Sequence, residues 1–215
     1  MIMKTTIIWD FNGTLLDDTI FCVDSMNKVL NKRGLPSLTL QKYREIFGFP
    51  VKEYYEKAGF DLKQFSFHEL SDEFIKLYYE GVQKKTKLHK SAQEVLAHFQ
   101  AQGIKQVILS AMEHKGLVAV TKYFNIYDYF ESVWGIDDHH AGGKIQIAKM
   151  HMDEINTQNL FYVGDTDHDV EIANLLNAKL ILHCNGSQSE KRLSIFKHAN
   201  LVDDLKSILD IIKLN

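Results

Sequence analysis

Hydrophobic and polar positions alternate in two different rhythms along the chain. Ile7-Ile8-Trp9 is an apolar, β-branched run that ends at Asp10, with Gly13 three residues on, and predicts a buried strand delivering a carboxylate to a tight loop. Helical spacing follows. Phe21, Val23, Met26 and Val29-Leu30 predict a helix from Thr19 to Lys32, stopped by Gly34-Leu35-Pro36. Two short helices, Thr39 to Phe47 and Val51 to Ala58, are expected on either side of Phe47-Gly48-Phe49-Pro50, and a fourth runs from His68 to Lys84 with Leu70, Phe74, Leu77 and Tyr78 on one side.

From about Lys87 the rhythm changes to helix and strand in turn. Helices are expected at Ala92 to Gln102, His114 to Tyr123, Lys144 to Ile155, Asp167 to Leu176 and Leu205 to Ile212. Strands are expected at Lys105 to Leu109, Phe130 to Trp134, Leu160 to Val163 and Lys179 to His183. This pattern predicts an α/β fold, a doubly wound, Rossmann-like parallel sheet, with an all-helical domain inserted after the first strand. The core would hold residues 1–15 and 86–215, and the helical cap residues 16–85. Right-handed crossovers bring the strand C-termini to one edge, where such sheets bind ligands. Because the insertion leaves the core just after Asp10, it is placed to act as a lid over that edge.

Composition removes several classes of function. The 215 residues are 45% hydrophobic and 25% charged, with a net charge of -3, and no lysine- and arginine-dense stripe suggests a nucleic-acid partner. No apolar run of transmembrane length appears, and Met1 to Thr6 leads straight into the first strand, so neither a membrane span nor a signal peptide is expected and the cytoplasm is the expected location. Cys22 and Cys184 lie far apart without CxxC spacing, which offers no thiolate metal site. Oligomeric state is not readable.

Four short stretches carry candidate chemistry. Asp10 suits a turn or helix cap as well as a reactive carboxylate. Ser110, ending Val107-Ile108-Leu109, suits a helix cap or a hydroxyl donor to phosphate, with backbone NH groups beside it at Ala111. In Gly164-Asp165-Thr166-Asp167-His168-Asp169 an apolar strand meets three acids within five residues. Such charge at a buried sheet edge calls for a hard, oxygen-ligated cation such as Mg²⁺, although Asp167 reads equally as a helix-start acid. Lys144, after Ala141-Gly142-Gly143, opens a helix at the end unfavourable for a cation, so a compensating anion or simple solvation is expected there.

The run Asp10-Phe11-Asn12-Gly13-Thr14-Leu15-Leu16-Asp17 resembles the first motif, DxDGTLxD, of the haloacid dehalogenase superfamily, and Ser110, Lys144, Asp165 and Asp169 follow in that family's order. The resemblance implies an Mg²⁺-dependent phosphatase acting on a small phosphorylated metabolite, with a phosphoglycolate phosphatase-like helical cap. Asp10 then falls on the nucleophile, and Gly13, Thr14, Ser110, Ala111 and Lys144 on phosphate-binding positions, with Lys149 as a fallback for the lysine. Asp10, the backbone carbonyl of Asn12, Asp165 and Asp169 fall on the metal site.

The departure is Asn12, which stands where the family carries its general acid and base. A carboxamide neither protonates a leaving alkoxide nor deprotonates water, and such assistance is worth about two to four powers of ten in rate. Three consequences remain open. The substrate has a good leaving group, or the acid comes from Asp17, Asp18, His114, His139 or His140; the aspartyl-phosphate is passed on by a phosphotransferase; or catalysis is lost and a phosphate-binding, regulatory homologue remains. Dehalogenation would leave the metal-binding acids without purpose. The aromatic residues Tyr54, Tyr55, Phe65, Phe67, Tyr78 and Tyr79 of the insertion are expected mostly to pack its core.

Overall fold

A computed structural model describes residues 4–136, 143–155 and 157–213. The first strand, β1 (Thr5–Trp9), is followed by a two-residue strand β2 (Leu16–Asp17), and then by helices α1 (Thr19–Asn31), α2 (Leu40–Ile46), α3 (Val51–Ala58) and α4 (Phe67–Lys85). A second short strand, β3 (Lys87–Leu88), precedes α5 (Ala92–Ala101), β4 (Lys105–Glu113), α6 (His114–Tyr123), β5 (Ser132–Ile136) and α7 (Gly143–Met150). The chain closes with β6 (Asn159–Gly164), α8 (Asp167–Leu175), β7 (Lys179–His183), α9 (Glu190–Leu193), β8 (Asn200–Val202) and α10 (Ile208–Ile211).

The six-stranded sheet has the order β5-β4-β1-β6-β7-β8, and every pair in it is parallel. The chain winds outward from β1 through β4 to β5, then returns to the other side of β1 for β6. That reversal opens a crevice at the C-terminal ends of β1 and β6, the position at which doubly wound sheets bind ligands. Residue alternation supplies both faces. Ile7 and Trp9 pack under α5 and α6 with Leu96, Phe99 and Leu117, while Ile8 faces α7 and α8 with Ala148, Val170 and Ile172.

The helices between β1 and β4 gather a third apolar cluster, which includes Val23, Met26, Leu30, Tyr43, Tyr54, Tyr55 and Leu70. Two strands cross to and from this layer side by side: Leu16 pairs with Leu88 and Asp17 with Lys87 in an antiparallel ribbon. A loop of the cap also reaches the core. Arg192 donates to the carbonyls of Glu45 (3.2 Å) and Phe47 (2.5 Å), Gln188 donates to that of Phe47 (3.1 Å), and Arg44 donates to those of Asn185 and Gly186. Phe49 stacks on His168 with ring centres 4.5 Å apart.

Several elements differ from the sequence expectation. Strands β2, β3 and β8 and helix α9 were not expected; they are two to four residues long, too short to show a period. β4 stays extended to Glu113 rather than stopping at Leu109, running up to α6, which has the expected bounds. The strand expected at Phe130 to Trp134 lies two residues later, after a 3₁₀ turn at Tyr127–Tyr129. The helix expected to reach Ile155 ends at Met150. Ile155 joins the core from a turn, and the ring of His151 stacks on Trp134. The closing helix begins as a 3₁₀ turn, Leu205–Ser207.

Candidate active site

Pairing continues past the end of β1: the amide of Asp10 donates to the carbonyl of Val163 at 2.8 Å, which fixes Asp10 at the mouth of the crevice beside β6. Asp165 follows β6 directly, and Asp169 lies one turn into the helix after it. Ligand oxygens of Asp10, Asp165 and Asp169 all lie within 4.8 Å of one another, and all three side chains are buried. From α7, the buried Lys144 Nζ donates to Asp10 Oδ1 at 2.5 Å and to Asp169 Oδ1 at 2.6 Å. Lys149, five residues along the same helix, is exposed.

Electrostatics sort the three acids. Burial, only partly offset by Lys144, raises the Asp10 carboxyl to about 6. Burial also raises Asp165 well above the usual carboxylate range, with the negative charges of Asp10 and Asp169 adding to the effect. For Asp169, burial is outweighed by Lys144, by the hydroxyl of Thr166 and by the backbone NH of Asp165, so it is held below the usual carboxylate range. Lys144 is desolvated as well, yet Asp10 and Asp169 keep it charged. Three carboxylates thus face one ammonium, and the excess negative charge sits in a low-dielectric site. A hard dication with oxygen ligands fits that donor set and that imbalance.

Smaller groups hold the acids in place. The hydroxyl of Thr14 donates to Asp165 Oδ1 at 3.0 Å and lies 3.3 Å from Asp10 Oδ2. The Ser187 NH donates to Asp165 Oδ2 at 2.5 Å, and the Tyr162 hydroxyl donates to Asp169 Oδ1 at 3.0 Å. Gly13 has φ +77, and a Cβ there would lie 2.2 Å from Asp165 Oδ2, so only glycine suits both its backbone and its neighbour. Tyr162 and Ser187 escaped the sequence reading. A tyrosine in an apolar strand and a serine in a turn give no chemical signal until the fold brings them to the acids.

Asn12 belongs to a different network. Its Nδ2 donates to Asp18 Oδ2 at 2.8 Å and to the Tyr78 hydroxyl at 2.7 Å, and that hydroxyl donates to the same Asp18 oxygen at 2.6 Å. The NH of Gly13 completes the set at 3.0 Å from Asp18 Oδ1. Asp18 precedes α1 yet makes no side-chain cap, because its carboxylate is committed inward. Ser110, buried, donates to Asn12 Oδ1 at 3.3 Å and accepts from the NH of Met112 at 3.1 Å. Ala111 is half-buried on the extended backbone of β4, three residues before α6.

Among the residues considered as substitutes for an acid at position 12, Asp18 alone of those described touches Asn12. Asp17 lies at the ribbon, 3.6 Å from Lys87, and His114 is exposed. His139 and His140 lie outside the described residues, as do Ala141 and Gly142. Asp167 takes no part in the acid cluster; it is bound to Arg192 at 2.6 Å and to Gln188 at 2.7 Å, at the seam with the cap loop.

Known proteins share this arrangement of chain. Among curated proteins, the phosphoglycolate phosphatase of Rhodobacter capsulatus is 22% identical over 222 residues, covering 98% of each chain. That of Psychrobacter arcticus is 23% identical over 221 residues, covering 96% of this chain and 95% of its own. Among solved structures, a haloacid dehalogenase-like hydrolase from Streptococcus pneumoniae superposes with a TM-score of 0.83 at 15% identity, covering 98% of this chain and 99% of that one. No helix among the described residues is long and apolar enough to cross a membrane. With the profile of the haloacid dehalogenase-like hydrolases matching residues 7–183, from the strand before Asp10 to the end of β7, the chain belongs to that family.

Proposed function

We propose that this protein is an Mg²⁺-dependent phosphatase that hydrolyses a small organic phosphate monoester through an aspartyl-phosphate on Asp10, with residues 16–85 forming the cap domain over the site. The observation that carries the proposal is the buried Lys144 held between Asp10 and Asp169 beside Asp165, an arrangement that pairs one nucleophilic carboxylate with a fixed positive charge. The phosphoglycolate phosphatase relatives support the reaction class.

In this reading Asp10, ionised near neutrality with its pKa at about 6, presents a carboxylate oxygen to phosphorus. A bond forms from that oxygen, and the bond to the leaving oxygen breaks. Water then attacks phosphorus, which frees Asp10 and releases inorganic phosphate. Lys144 holds charge on the phosphoryl oxygens, and Ser110 turns its hydroxyl toward them. Asp10, Asp165, Asp169 and the main-chain carbonyl of Asn12 would hold Mg²⁺, which when bound supplies positive charge to the phosphoryl group and offsets the surplus carboxylates. Asn12 orients through hydrogen bonds but transfers no proton.

A second reading, a phosphate-binding module without turnover, has Asn12 in its favour. The two are separated by assaying aryl and alkyl phosphates with and without Mg²⁺. The wild type is expected to turn over an aryl phosphate only when Mg²⁺ is present, and Asp10→Asn is expected to lower kcat by about 10⁴-fold or more. Full activity in Asp10→Asn would refute the covalent route. Wild-type inactivity on every ester would favour the binding module.

A further inference from the structure

Between cap and core lies a cavity of about 270 Å³. Phe47, Phe49, Tyr54 and Phe74 are among its walls, and Asn12 and Ala111 form part of its floor. The floor therefore borders the reactive edge, two residues from Asp10. An apolar cavity of about 150 Å³ already holds benzene, so this one has room for a single aromatic ring or a fused pair. Its lining is mostly apolar or aromatic. Where a phenol lines it, as at Tyr43 and Tyr78, burial keeps the hydroxyl neutral far above physiological pH.

No lysine, arginine or histidine is among the described residues lining this space. Arg44 and Arg192, the cations at the seam, are taken up by main-chain carbonyls and by Asp167. Among the described residues, the one charged group lining it, Asp18, is an acid, and its carboxylate is bound to Asn12, Tyr78 and Gly13. A leaving group with its own carboxylate or second phosphate would meet no counter-charge among the described residues there and would face Asp18. An uncharged aromatic ring would lose little by leaving water and would gain ring contacts.

Asn12 points the same way on separate grounds. An alkoxide leaves with a basicity near that of hydroxide, about 15.7 on the pKa scale of its conjugate acid, and needs a proton. A phenolate, whose conjugate acid has a pKa of about 10, leaves without one. We propose that the cavity is the leaving-group site and that the substrates are aryl phosphate monoesters without a second anionic group. The inference rests on the phosphatase reading above. The Asp10 oxygen bonds to phosphorus as the aryl oxygen departs with its electron pair. Water then displaces Asp10 from phosphorus, and its proton goes by way of solvent to the phenolate, leaving a phenol and inorganic phosphate.

The test compares 1-naphthyl phosphate with 2-phosphoglycolate on the full chain with Mg²⁺, and measures binding of both by calorimetry to Asp10→Asn. A kcat/KM at least about 100-fold higher for the naphthyl ester is expected. Equal or better turnover of phosphoglycolate overturns the proposal and leaves the phosphatase reading intact. In the Asp10→Asn background, Ile75→Arg, which brings a cation to the cavity wall, is expected to weaken naphthyl phosphate binding about ten-fold or more while phosphoglycolate binding is kept or improved. Ser71→Phe, which narrows the cavity without adding charge, is expected to weaken naphthyl phosphate binding as well. Unchanged naphthyl affinity in a folded variant of either kind overturns the assignment of the cavity. If the wild type hydrolyses neither ester but naphthyl phosphate binds and these variants lose it, the phosphatase reading falls and the cavity assignment stands.

Discussion

On the core side of the site, Asp10, Lys144, Asp165 and Asp169 are each held by several hydrogen bonds, with the lysine bridging two acids at 2.5 and 2.6 Å. On the cap side, aromatic walls enclose a space where Asn12, Asp18 and Tyr78 pair with one another and the buried Tyr54 hydroxyl has no hydrogen-bond partner among the described residues. The core side is specified by charge and direction, the cap side by shape. Removing one charge should therefore unsettle the core side strongly, whereas the cap side should respond to changes in volume or in added charge. Asn12 lies on the boundary, two residues from Asp10 but bonded to a cap tyrosine.

The largest effect is expected from Lys144→Met. Loss of the only ammonium within hydrogen-bonding distance of Asp10 and Asp169 among the described residues should destabilise the protein by about 3 kcal/mol in urea denaturation without divalent cations. Added Mg²⁺ should recover part of that loss. A change within about 0.5 kcal/mol would mean that the core side is held by hydrogen bonding and not by charge.

Next in size is Asn12→Asp, which sets a second carboxylate where the amide now lies 2.8 Å from Asp18. Stability should fall by about 1–3 kcal/mol, and adding Asp18→Asn should restore most of it, as a double-mutant cycle would measure. The double variant should also gain about 100-fold on alkyl phosphates, because an acid then stands beside the leaving oxygen. Additive losses would show that the two positions are not coupled and would break the boundary role given to Asn12.

The smallest effect concerns the histidines beneath the Asp10 loop. The rings of His89 and His183 lie 4.4 Å apart, and His183 Nδ1 is 3.3 Å from the carbonyl of Gly13. Burial and the neighbouring His183 lower His89 to about 4, and burial lowers His183 too. An unfolded histidine binds its proton at about pH 6.5, so below that value the unfolded chain holds more protons than the native one. Stability is thus full above pH 6.5 and falls as the pH drops toward 4. His89→Gln should remove on the order of 1–2 kcal/mol of this acid sensitivity, read as a flatter dependence of the urea midpoint on pH. An unchanged slope would assign the acid sensitivity to the carboxylates.

The alternation of apolar runs was sufficient to read the parallel sheet, the helical insertion and the edge where they meet, because a strand or helix of ordinary length carries its period in its own residues. Asp10, Asp165 and Asp169 were legible for a related reason: each follows a strand or starts a helix, so local pattern alone brings it to one edge. Lys144 needed more than local pattern. It shares a helix with Lys149, and only the way that helix docks on β4 and β5 buries the first and exposes the second.

Tertiary structure alone decided the rest. Tyr78 lies 66 residues from Asn12, and its bond to Asp18 arises from the packing of α4 on α1, which no local pattern encodes. Phe74 and Tyr78 occupy the same helical face that would fill a core, and sequence periodicity cannot separate a packed layer from one that leaves a cavity. Shape depends on how far two layers stand apart, and that distance is set by contacts such as those of Arg192 and Gln188 with the loop at Phe47. The sequence by itself determined which charged groups meet at the sheet edge; packing determined the volume beside them, because charge pattern is local along the chain and volume is not.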